Sequence, residues 1–145
     1  MTDSEIRKAV YEMTLQGGRP PSIGTLSIQL RTTPADIREG IARLVAARVL
    51  VPDPRNGEIL MAPPFSAVPT PFLVETSRHW SFANCIWDAL GVPVMLRMGA
   101  RIATACACCG TAMTLETDGT AAPGGEGLIH FAVPARQWWD DIVFT

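Results

Sequence analysis

The chain has 145 residues, enough for one domain or two small ones, and its 48% hydrophobic and 18% charged residues indicate a globular rather than a disordered protein. A net charge of −2 argues against a general affinity for nucleic acid. No apolar stretch is as long as a membrane span, and the acidic start over 1–5 is unlike a signal peptide. We therefore expect a cytoplasmic protein without membrane partners, whose four cysteines are reduced and serve metal binding or catalysis more than disulfides.

The first 61 residues predict three helices followed by a hairpin. By apolar spacing and start signals, the helices cover 4–16, 20–30 and 33–47. Thr33 is suited to the N-cap of the third helix, because Pro34 then occupies the first helical position. Asn56-Gly57 lies between two short apolar runs and predicts a tight β-turn. Together these elements predict a winged helix-turn-helix domain over 1–61.

A winged helix can bind DNA through its third helix, which makes DNA a candidate partner. Residues 1–61 contain eight Lys/Arg and seven Asp/Glu, a net charge of +1. Because affinity for DNA comes mostly from neutralising phosphates, this charge is too small to favour DNA as a partner. We expect a structural or dimerising role for this domain instead.

The remaining chain predicts a linker and a second domain. Four prolines among apolar residues make 62–75 a stiff, extended linker that packs on the domain after it. In the second domain, over 76–145, we predict strands at 101–105, 112–116 and 128–133, and helices at 80–91, 92–98 and 134–141. The predicted fold class is α+β, with a small mixed β-sheet and helices in the second domain.

The run 80–91 contains the pair of residues that carries the functional hypothesis. Apolar residues recur in it at helical spacing, and Gly91 predicts the end of the helix. Since positions three apart share a helix face, the Cys85 thiol and the Asp88 carboxyl can point at one spot. A nucleophilic sulfur beside a proton-carrying group is a workable catalytic pair. On spacing alone, a buried core cysteine with a solvated or capping aspartate is the commoner arrangement.

Five segments together resemble the alkylmercury lyase (organomercurial lyase) family over nearly the whole chain. They are Pro20-Pro21-Ser22, 64–70, Asn84-Cys85-Ile86-Trp87-Asp88-Ala89-Leu90-Gly91 with Pro93 after it, the turn 106–110, and Trp138-Trp139-Asp140-Asp141. The family cleaves carbon–mercury bonds by protonolysis, giving a hydrocarbon and Hg(II), with two cysteines and one aspartate. The resemblance therefore implies an organomercurial as the substrate.

By this resemblance, Cys85 is the first catalytic cysteine and binds mercury, and Asp88 is the aspartate that relays the proton. Thiolates are the soft ligands that mercury prefers, and a carboxyl buried among apolar side chains is favoured in its neutral, proton-donating form. The second family cysteine follows a segment like 138–145 and is absent from this chain. We expect that the natural protein, or else its relatives, continue beyond Thr145, and that cleavage by one thiolate is slow.

The same resemblance implies that no cofactor is required and that Hg(II) is bound as part of the substrate and as the product. Cellular thiols or a mercury-reducing enzyme are the expected acceptors of Hg(II). The other cysteines lie in the turn 106–110, where Cys106-x-x-Cys109 resembles half of a zinc ribbon. A tetrahedral zinc site needs two further ligands, of which His130 could supply one. If the turn binds no zinc, its role is purely structural, or it passes mercury to or from Cys85.

Two alternative functions belong to classes of protein other than lyases. One is a winged-helix transcriptional regulator whose cysteines sense a thiophilic metal. The other is a metal-binding protein without catalysis, with Cys85, Cys106 and Cys109 as candidate metal ligands. The small net positive charge of residues 1–61 counts against the transcriptional regulator. Metal analysis of the purified protein tests the metal-binding protein without catalysis.

Overall fold

Three helices open the chain in the computed structural model, which describes residues 2–120 and 127–143. The helices are α1 (Asp3–Gly17), α2 (Ile23–Gln29) and α3 (Pro34–Ala46). Each begins at a hydroxyl side chain that accepts a backbone N–H of the first turn, namely Thr2, Ser22 and Thr33. These starts agree with the sequence-based prediction, including Pro34 at the beginning of α3.

Seven strands follow and form a single sheet. They are β1 (Val51–Pro52), β2 (Ile59–Ala62), β3 (Phe65–Ser66), β4 (Leu73–Thr76), β5 (Trp80–Ala83), β6 (Ala100–Ala105) and β7 (Ala112–Thr117). Their spatial order is β1-β2-β3-β5-β4-β6-β7, and every pair among the described strands is antiparallel. The expectation of a small mixed sheet is therefore wrong. Hairpins join β1 to β2, β4 to β5 and β6 to β7, and a hairpin can join only antiparallel neighbours.

A fourth helix, α4 (Ile86–Leu96), crosses over the sheet between β5 and β6. The prediction of one helix over 80–91 is wrong for 80–83, which form β5 because they pair with both β3 and β4. The prediction of a separate helix over 92–98 is also wrong. The helix continues through Gly91 and ends at Arg97, whose backbone is left-handed with a φ of 52°.

The predicted linker 62–75 supplies β3 and the first residues of β4, so its extended segments belong to the sheet. Its Pro63–Pro64 bond is cis. The predicted strand 128–133 is wrong, because these exposed residues pair with no strand in the part of the chain described. A short 3-10 helix (Ala135–Asp140) lies where the last helix was predicted. The domain boundaries themselves stay a prediction.

Two apolar clusters form the core. One joins α1, α2 and α3 to the first strands, and the other lies between α4 and the centre of the sheet. Tyr11 of α1 contacts both clusters, and its hydroxyl donates a 2.8 Å hydrogen bond to the Pro63 carbonyl. The helical part therefore packs directly against the proline-rich segment. In the described ranges, no helix is both long enough and apolar enough to cross a membrane.

Candidate active site

Cys85 occupies the N-cap of α4, at the junction where β5 ends and the helix begins. Its backbone is extended, with a φ of −146°, and its sulfur accepts the N–H of Asp88 at 3.5 Å. The Asp88 carboxyl reaches back to the same sulfur, with Oδ2 3.5 Å from Sγ. Cys85 is therefore the N-cap of the helix and Asp88 is its third residue. Their side chains meet as those of a capping pair do, and Cys85 is not itself inside the helix.

The proline-rich segment holds the chain just before Cys85. The Asn84 N–H donates to the Pro64 carbonyl at 3.2 Å, and the Ala83 N–H donates to the Phe72 carbonyl at 2.9 Å. The Thr70 hydroxyl donates a 2.6 Å hydrogen bond to the Ala83 carbonyl. These contacts fix the direction of the chain as it enters α4, so the segment helps to position the Cys85 sulfur.

Burial shifts both ionisable groups of this pair toward their neutral forms. Burial raises the pKa of the Cys85 thiol, and the nearby Asp88 carboxylate adds to the shift, while the Asp88 backbone N–H opposes it. Burial likewise raises the pKa of the Asp88 carboxyl, against hydrogen bonding from Cys85 and the influence of the Asn84 amide. The pair therefore holds its protons more tightly than the same groups do in water.

Asn84 is a site residue to which sequence reasoning assigned no role. Its amide acts to lower the pKa of Asp88, yet neither of its polar side-chain atoms has a hydrogen-bond partner of good geometry among the described residues. Both atoms are buried, and buried polar atoms are nearly always paired in folded proteins. The available signal was its position beside Cys85 in the segment that carries the family resemblance.

An apolar concavity of about 500 Å³ lies beside Trp87, in the first turn of α4. Trp87, Phe131 and Trp138 line it with His130, and the rings of Trp87 and Phe131 meet edge-on at 6.2 Å. Cys85 and Asp88 are not among its lining residues. The concavity is therefore connected to the sulfur–carboxyl pair through Trp87, which lies between Cys85 and Asp88 in the chain.

The other three cysteines lie in the turn between β6 and β7. The Gly110 N–H donates to the Cys106 carbonyl at 2.8 Å, and Gly110 has a left-handed φ of 72°. The Cys109 sulfur is exposed and lies 3.1 Å from the Thr111 hydroxyl. Hydrogen bonding from Thr111, with a contribution from the Cys106 thiol, lowers the pKa of Cys109.

His130 is not brought to this turn as a metal ligand. Within residues 2–120 and 127–143, no three side chains of His, Cys, Asp or Glu are grouped so that they could hold a metal ion. A tetrahedral zinc site requires four such ligands. The structure therefore brings Cys85 and Asp88 together, and separately places Cys106 and Cys109 in one turn.

Comparisons with known proteins address the family directly. A family model described as alkylmercury lyase matches residues 65–145, more than half of the chain. A solved structure described as the mercury-bound form of MerB2 is similar in fold, with a TM-score of 0.61 and 18% sequence identity. The alignment covers 83% of this chain and 58% of that one, so this chain spans less than two thirds of the solved protein. No curated protein sequence matches significantly.

The matched region includes Cys85, Asp88, the whole of helix α4, strands β3 to β7 and the cysteine-containing turn. The fold similarity to the solved structure covers a larger share of the chain than the family model does. The chain is therefore a member of the alkylmercury lyase family.

Proposed function

We propose that this chain cleaves carbon–mercury bonds by protonolysis, with Cys85 as the mercury ligand and Asp88 as the proton carrier. The observation that carries the proposal is the 3.5 Å contact between the Cys85 sulfur and the Asp88 carboxyl at the start of α4. A soft ligand and a proton carrier on one spot are the two groups that the reaction needs.

In the first step, the Cys85 sulfur displaces the ligand that accompanies the organomercurial. Because its pKa is raised, Cys85 meets the substrate as a thiol and has to lose its proton when the sulfur–mercury bond forms. The Asp88 carboxylate is in contact with that sulfur and takes the proton. The products of this step are a Cys85–mercury–carbon adduct and a neutral Asp88.

In the second step, Asp88 returns the proton to the carbon. The electron pair of the carbon–mercury bond forms the new carbon–hydrogen bond, the hydrocarbon leaves, and Asp88 becomes a carboxylate again. Mercury remains on the Cys85 sulfur as Hg(II). The raised pKa of Asp88 suits this role, since its neutral form is the proton donor.

A second thiolate on mercury increases the electron density of the bound carbon and makes it easier to protonate. We propose that a small thiol supplies this ligand to the 145-residue chain, and that cellular thiols or a mercury-reducing enzyme then accept the Hg(II). Cleavage should accordingly be slow with methylmercury alone and faster when a monothiol is added in excess.

We also propose that the three helices and the β1–β2 hairpin form a winged helix that supports the site. The support is the Tyr11 hydrogen bond to Pro63, next to the carbonyl of Pro64 that holds Asn84. Part of the positive charge of this region is neutralised within the protein, because Arg43 of the third helix forms an ion pair with Asp3 at 2.8 Å. No feature of this part favours DNA over the supporting role.

The proposal is tested by measuring methylmercury capture and methane release for the parent chain and two variants. In the absence of added monothiol, Cys85→Ser should bind one methylmercury fewer per chain than the parent, because a hydroxyl is a poor ligand for mercury. Asp88→Asn should keep the adduct and lose most of the methane release, because an amide cannot carry the proton. Cys108→Ser serves as the matched control and should match the parent in methane release. Undiminished methane release by Cys85→Ser would exclude the proposal.

A further inference from the structure

The turn between β6 and β7 places two thiols next to each other, apart from the pair at Cys85. Cys106 is the last residue before the turn, and its carbonyl accepts the Gly110 N–H at 2.8 Å while its N–H donates to the Thr111 carbonyl at 2.9 Å. The bond from Gly110 to Cys106 closes one helix-like turn, and positions three apart in such a turn, here 106 and 109, share one side. Hydrogen bonding from the Cys106 thiol is also a cause, after that from Thr111, of the lowered pKa of Cys109.

We propose that Cys106 and Cys109 form a second binding site, for a soft cation that accepts two thiolate ligands, with Hg(II) as the ion that fits. Cys109 is exposed and Cys106 is partly exposed, so a thiol-bound mercury ion can reach both sulfurs from solution. Binding is a ligand exchange on mercury. Two bonds from mercury to the carrier thiolates break, two bonds to the cysteine sulfurs form, and the two cysteine protons go to the departing thiolates, which leave as free thiols. The oxidation state of mercury does not change.

The ligand count distinguishes mercury from zinc at this turn. Zinc in a structural site takes four ligands, whereas Hg(II) is stable with two thiolates in a nearly linear arrangement. In the described part of the chain, no third His, Cys, Asp or Glu side chain joins these two in a metal-binding group. The turn is thus complete for a two-coordinate ion and two ligands short for zinc.

The Thr111 hydroxyl favours the first step of binding. It lies 3.1 Å from the Cys109 sulfur, and hydrogen bonding to that sulfur makes a thiolate available closer to neutral pH. A thiolate is the form that attacks a mercury–thiol complex. Because Cys109 is exposed and Cys106 only partly exposed, mercury would reach Cys109 first, and Cys106 would then close the two-sulfur complex.

The site is tested in a Cys85→Ser background, so that the result does not depend on the proposed lyase reaction. The chain is incubated with mercuric chloride and an excess of a monothiol, then desalted, and the mercury bound per chain is measured by native mass spectrometry. The Cys85→Ser chain should retain one mercury ion. Adding Cys106→Ser or Cys109→Ser to a Cys85→Ser Cys108→Ser chain should remove it, because the single cysteine that is left cannot compete with the excess of monothiol.

Cys108→Ser in the same background is the matched control, since it removes a thiol from the same turn and should leave the mercury in place. Far-UV circular dichroism checks that every variant is folded. Retention of the mercury ion after both Cys106 and Cys109 are replaced would overturn the assignment, as would its absence from the Cys85→Ser chain. Zinc retained against a chelator in a parallel incubation would overturn the two-coordinate site.

Discussion

Cys85 has two roles that depend on the same sulfur. It caps α4 by accepting the Asp88 N–H, and in the proposed reaction it binds mercury. Serine is among the best N-cap residues, whereas alanine cannot accept a hydrogen bond from the first turn. The two roles can therefore be separated by the choice of substitution.

We predict that Cys85→Ala destabilises the fold relative to Cys85→Ser by about 1 kcal/mol, because only serine retains a capping oxygen. Both variants should bind one methylmercury fewer per chain than the parent. Urea denaturation measures the stability difference, and native mass spectrometry measures the methylmercury bound per chain. Equal stability of the two variants would mean that the sulfur does not act as a cap.

Asp88 should leave a signature in the dependence of stability on pH. Its pKa is raised in the folded state, so the fold favours the protonated form. The associated stabilisation is present below the unfolded-state pKa and is lost as the pH rises through the folded-state pKa. The parent chain should therefore lose stability relative to Asp88→Asn over this range.

The measurement is the difference in melting temperature between Asp88→Asn and the parent, followed from about pH 3 to about pH 7. We predict that the melting temperature of Asp88→Asn increases relative to that of the parent as the pH rises. A difference that is the same at every pH does not affect this trend. Asp118→Asn is a useful contrast, because hydrogen bonds from Thr120 lower the pKa of the exposed Asp118. A difference for Asp88→Asn that is independent of pH would contradict the raised pKa.

At the scale of elements, the site depends on the junction between β5 and α4. The sequence predicts a helix through this junction because Phe82 and Ile86 are four apart, a spacing that fits a helix. Strand pairing overrides this local helical preference, because β5 lies between β3 and β4 and hydrogen-bonds to both. These partners are separate segments of the chain, so local periodicity could not reveal them.

The contact between Cys85 and Asp88 could nevertheless be predicted, since a separation of three residues brings side chains together both within a helix and at its N-terminus. The error over 128–133 has a different cause. That run is apolar enough for a strand, but a strand needs a partner, and sequence periodicity does not show whether one is present. The role of Asn84 was missed because burial of its amide depends on the tertiary fold.

We predict that Thr70→Val weakens the junction without removing a catalytic group. The substitution is nearly isosteric and deletes the hydrogen bond to the Ala83 carbonyl, at a cost of about 1–2 kcal/mol. Methane release should fall while the Cys85 adduct still forms, because the sulfur and carboxyl are less well positioned. Thr114→Val, on the exposed strand β7, is the control and should leave the rate unchanged. A normal rate in Thr70→Val would show that this hydrogen bond does not position the site.

At the scale of the whole molecule, one continuous sheet joins the N-terminal hairpin to the cysteine-containing turn. Composition and helix signals were enough to predict the three N-terminal helices, because each has a hydroxyl N-cap and an apolar stripe. The continuity of the sheet could not be predicted, since it runs through residues 65–66 and 73–76 of a segment whose prolines indicate a linker. Those prolines fix an extended backbone, which is compatible with both a linker and short strands.

The charge of the N-terminal region leads to a prediction about DNA. Residues 1–61 have a net charge of +1, and Arg43 and Arg55 are already paired with carboxylates. Binding to DNA should therefore be weak, independent of sequence and absent at physiological salt. Fluorescence anisotropy with labelled duplexes at several salt concentrations checks this. A tight complex with one defined sequence at physiological salt would instead support a regulator.

The central claim is that the Cys85–Asp88 pair protonates a mercury-bound carbon. The most direct test is the isotopic composition of the methane released from methylmercury in D₂O with an excess of monothiol. We predict singly deuterated methane, CH₃D, produced in proportion to the amount of chain and absent with Cys85→Ser, because exchangeable thiol and carboxyl groups supply the hydron. Contradictory results would be no methane above the protein-free control, or equal CH₃D from the parent and Cys85→Ser.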